Sequence, residues 1–72
     1  MNKQQSVDAI RANLQVVYNN LFKANQDIAA ALSAINEGKQ NLAIGCMLEV
    51  PDRLEAAKTF CDAIIRIHRY SR

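Results

Sequence analysis

Apolar residues recur along the first half of the chain at Val7, Ile10, Leu14, Val17, Leu21, Ala24, Ile28, Ala31 and Ile35, in steps that alternate three and four. A strand, whose side chains change face at every residue, has no such period. The pattern predicts one amphipathic helix over about residues 6–37, roughly 45 Å long at 1.5 Å per residue. Ser6 is the expected N-cap, with Asp8 placed to suit the positive end of the helix dipole. Gly38 follows the last stripe residue, where a left-handed backbone commonly ends a helix. Tyr18, Phe22, Ala29 and Leu32 widen the stripe on one flank. That breadth fits a helix with several neighbours better than a two-stranded seam.

The second half reads differently. Leu42 to Leu48 is an unbroken run of apolar residues and glycine. Its period alone does not separate a buried helix from a buried strand, but no second strand exists to pair with it. We read it as a short helix over about residues 40–49, with Gly45 allowing close helix approach. Pro51 ends it by removing a backbone donor and holding Val50 extended. Asp52 and Glu55 then resemble a capping box for a helix over about residues 52–70. Its apolar face comprises Leu54, Ala57, Phe60, Cys61, Ile64, Ile65 and Ile67, and Lys58, Asp62 and Arg66 lie outside it at four-residue spacing.

These elements predict an all-α fold in one domain over residues 1–72: a helical hairpin with a long first helix and a Pro-broken second arm. A lone hairpin leaves part of each apolar face in water. Two packed face to face close a four-helix core. We therefore expect a homodimer or higher oligomer, with Leu14, Val17, Leu21, Ile28, Ile35, Phe60 and Ile64 carrying self-association.

Composition sharpens this. At 72 residues and 8.0 kDa, a single core supplies only about 3–5 kcal/mol, so such chains commonly need staples or a partner. Cys46 and Cys61 both fall in apolar helical patterns with no secretory leader, and read as buried, reduced thiols of a cytoplasmic protein. One histidine and two distant cysteines offer no metal-ligand spacing, and nothing implies a cofactor. The longest apolar run falls far short of the ~18 residues of a membrane span. A formal charge of +2 does not by itself imply a nucleic-acid partner.

Candidate chemistry is sparse. His68 has no carboxylate or nucleophile at a suggestive spacing, and Cys61 has no evident activating base. Arg11, Lys39 and Arg53 invite comparison with small all-helical chorismate mutases, but Asn25, Gln26 and Asp27 stand where a mid-helix arginine would help. The chain is also too short for their third helix, so we set that analogy aside and expect no enzyme. Met47 and Leu48, then Arg66 and Arg69, are the candidates for contact with an external partner. The leading expectation is a small non-enzymatic helical interaction protein: an adaptor, inhibitor or regulator, binding another protein as an oligomer. The alternatives are an RNA- or DNA-binding bundle using the C-terminal arginines, and an oligomer holding an anionic small molecule at subunit junctions.

Overall fold

A computed structural model of the protein describes residues 2–71. It is an all-α hairpin, 54 × 14 × 12 Å, of helices α1 (Lys3–Asn36), α2 (Gln40–Met47) and α3 (Val50–Tyr70). Helix α1 runs up one arm, and α2 and α3 together return along it.

Helix α1 starts earlier than its apolar stripe suggests. Asn2 is the N-cap: its side chain accepts from the Gln5 amide at 2.8 Å, and Gln5 Oε1 accepts from the Asn2 amide at 3.1 Å. This reciprocal box satisfies two free donors of the first turn and displaces Ser6 from the capping role. Asp8 lies beyond the first turn and pairs with Arg11. At the other end Gly38 has φ +76°, and the Lys39 and Gly38 amides donate to the Ala34 and Ile35 carbonyls at 2.9 Å each. That is the Schellman closure expected of a left-handed glycine.

The break in the return arm also has a specific cause. In a continuous helix the Pro51 ring would clash with the carbonyl four residues back. That residue is Met47, the last of α2. Leu48 and Glu49 stay in the right-handed helical region, so the arm kinks without opening into a loop. Val50 is helical, not extended, because Pro is tolerated in the first turn of α3. Asp52 consequently lies in that turn, near the positive end of the dipole, and caps nothing; the N-cap is Glu49, without a side-chain bond.

The packing between the arms departs most from expectation. Residues of α1 that are buried or half-buried at heptad spacing are Ser6, Ile10, Asn13, Val17, Asn20, Ala24, Asp27, Ala31 and Ala34. Their counterparts are Val50, Arg53, Ala57, Phe60, Ile64 and Ile67 on α3 and Ser71 at its C-cap. The inner seam therefore shares Ile10, Val17, Ala24 and Ala31 with the predicted stripe but replaces every other stripe residue by its smaller or more polar neighbour. Only three residues, Glu37, Gly38 and Lys39, separate α1 from α2. So tight a turn brings the helices close, and alanines allow that approach. The buried apolar residues are accordingly Ala24, Ala31, Ala34, Ala43, Val50 and Ala57.

Candidate interaction surface

The displaced half of the stripe is exposed. Val7, Leu14, Leu21, Ile28 and Ile35 follow one another at intervals of seven, and Tyr18 and Leu32 lie beside them, all with more than a third of their surface open. On α3 the equivalent flank carries Leu54, Cys61, Ile65 and His68, all exposed. Antiparallel pairing turns these flanks to the same side of the flat hairpin. At the termini a groove is lined jointly by Val7, Ile10, His68 and Ser71. Near the turn another is lined by Ile28, Leu32, Ile35, Ile44 and Met47. Between them lies a third, formed by Leu14, Val17, Tyr18 and Leu21. One broad face of the hairpin is thus largely apolar, with Arg11 and Gln15 beside the middle groove and Lys58 between Leu54 and Cys61. The opposite face presents Asn19, Gln26, Ser33, Thr59 and Arg66 to water.

The seam beneath this surface is partly polar. Ser6, Asn13, Asn20 and Asp27 recur every seven residues. Asn13 and Asn20 donate to the Ala9 and Val16 carbonyls of their own helix, at 2.8 and 3.0 Å. Asp27 accepts from Lys23 Nζ at 2.9 Å and lies 3.8 Å from Arg53 Nε; Arg53 also reaches Glu49 at 3.2 Å. At the open end the Ser6 and Ser71 hydroxyls stand 2.6 Å apart. Ser6 Oγ is 3.0 Å from the Asn2 carbonyl, and Ser71 Oγ is 2.6 Å from that of Ile67. Two hydroxyl protons serve these three contacts, so the chain of bonds runs in one direction or the other.

The structure separates the residues singled out by sequence. Leu14, Leu21, Ile28 and Ile35 lie on the apolar face. Val17, Phe60 and Ile64 are half-buried on the faces that α1 and α3 turn to each other. Met47 packs against Ala31, Ala34 and Ala43, whereas Leu48 is 72% exposed. Arg66 and Arg69 are exposed, in no ion pair among the described residues; Arg69 and His68 occupy the last turn of α3, where cations suit the dipole. Arg72 lies outside the described residues.

Other expectations change. Cys46 is half-buried, but Cys61 is exposed rather than buried. His68 is seven residues from Cys61, about 10 Å along a helix, too far for the two to act as acid and nucleophile. Gly45 meets nothing within 4 Å of where a side chain would begin, so no helix approaches it closely. Arg11, Lys39 and Arg53 are each ion-paired, at separate points along the rod. Lys58, hydrogen-bonded to Asp62 at 2.9 Å, has its pKa raised above the ordinary lysine value, by that bond first and then by the carboxylate's charge. A raised lysine pKa means the pair's contribution is complete at neutral pH and fades only as pH climbs through the raised value.

Among the described residues no cluster of metal-ligating side chains occurs, and no helix is long and apolar enough to cross a membrane. Comparison with protein-family models, curated proteins and solved structures gives no match.

Proposed function

We propose that this is a non-enzymatic helical interaction protein, an adaptor, inhibitor or regulator that works as an oligomer by binding another protein. One observation carries the reading: the hairpin buries alanines between its arms while large aliphatic and aromatic side chains stay exposed along its outer face. Exposed apolar patches of this extent mark interaction surfaces. The apolar face serves self-association, and the exposed ends, Leu48 at the kink and Arg66 with Arg69 near the end of α3, serve the external partner.

Affinity capture from a cell lysate tests the second part. The expected result is salt-tolerant retention of a protein species that disappears with Leu48→Asp while helix content and oligomer mass are unchanged. Leu48 is a cleaner probe than Met47, which packs inside the hairpin. Retention that collapses between low and moderate salt, with co-purifying material absorbing at 260 nm, would replace the protein partner by a nucleic acid held through the arginines.

A further inference from the structure

We infer that the occupant of the apolar face is a second copy of this chain, docked with its α1 antiparallel to the first and with the two-fold axis passing beside Leu21. The inference rests on the oligomeric reading above and adds to it a face, a direction and a register.

Area identifies the need. A folded chain of 8.0 kDa exposes about 4,450 Å² by the usual scaling with mass, whereas this hairpin exposes 5507 Å². The excess, roughly 1,000 Å², is close to the ~800 Å² that each partner contributes to a standard stable interface. One further copy is enough to bring the chain to ordinary exposure.

The register follows from the spacing. Leu21 is the middle member of the series Val7, Leu14, Leu21, Ile28 and Ile35. An antiparallel copy centred there sets Leu21 against Leu21, Leu14 against Ile28 and Val7 against Ile35, leaving no member of the series unmatched. A two-fold axis along the helices would instead lay the α1 series against the partner's α3. That arrangement sets the five aliphatic residues of the series against a flank with only Leu54, Cys61 and His68 at the same spacing, whereas the perpendicular axis keeps the aliphatic residues together.

Cysteine cross-linking in the full chain, with Cys46→Ala and Cys61→Ser, tests the arrangement. Leu21→Cys should oxidise almost completely to a disulfide-linked dimer, since the two thiols lie at the axis. Leu14→Cys alone should not, because antiparallel copies hold those positions about 21 Å apart along the axis. A mixture of Leu14→Cys and Ile28→Cys chains should cross-link again. Light scattering on the unaltered protein should give twice the 8.0 kDa chain mass. An oligomer in which Leu21→Cys stays uncross-linked, or in which every position of the series links to itself, overturns the antiparallel register but leaves the oligomeric reading intact. A stably helical species of the chain's own mass at micromolar concentration overturns both.

Discussion

Gly38 and Gly45 lie seven residues apart and do opposite things. Gly38 holds φ +76° with open space where a side chain would begin, so Gly38→Ala meets no clash and suffers only the left-handed backbone penalty. That should cost about 1–2 kcal/mol, read from the denaturant midpoint. Gly45 is helical with equally open space, and Gly45→Ala should stabilise by about 0.5–1 kcal/mol, by restricting the unfolded chain and favouring helix. A destabilising Gly45→Ala would show that a neighbouring helix presses on that face. The role of Gly38 was legible in the sequence because a glycine after a completed stripe has few other uses. The box between Asn2 and Gln5 was not, since Ser6 offered a more familiar cap and nothing local decides between them.

At the level of the helix, α1 carries two adjacent seams. The inner one holds Ser6, Asn13, Asn20 and Asp27 with Ile10, Val17, Ala24 and Ala31; the outer one, large and apolar, holds Val7, Leu14, Leu21, Ile28 and Ile35. Period and length were readable from the chain alone, as was the all-α hairpin. The assignment of the two seams was not: apolar rank favours Leu14 and Leu21 as core, and only the tight turn at residues 37–39, by forcing the arms together, selects Asn13 and Asn20 instead. Polar positions repeated inside a helical interface fix pairing and register at the expense of stability. Asn20→Leu, similar in size and half-buried between the arms, should therefore raise stability on the order of 1 kcal/mol. It should also broaden the population of assembled species seen by native mass spectrometry. A destabilised but still homogeneous variant would mean that Asn20 is valued for its fit and not for register.

For the whole molecule the relevant quantity is shape. The radius of gyration is 16.5 Å, against about 11 Å for a compact domain of this length. A rod this thin has little interior, and no large side chain among the described residues is completely buried. In the proposed dimer, folding and association are one process. A tenfold rise in protein concentration should add about 1.4 kcal/mol to the stability of a dimer and lift the thermal midpoint by a few degrees. A midpoint that ignores concentration, measured by circular dichroism across a hundredfold range, would show that the hairpin is self-sufficient.

The hydroxyl pair at Ser6 and Ser71 closes the end of the rod opposite Gly38, and this orders the steps by which the arms come together. Contacts beside the turn, such as Ala34 with Ala43, join residues close in the chain, while the serine pair spans 65 positions. Loop closure costs more as the span grows, so the arms join like a zip drawn from Gly38, and the serines are its final tooth.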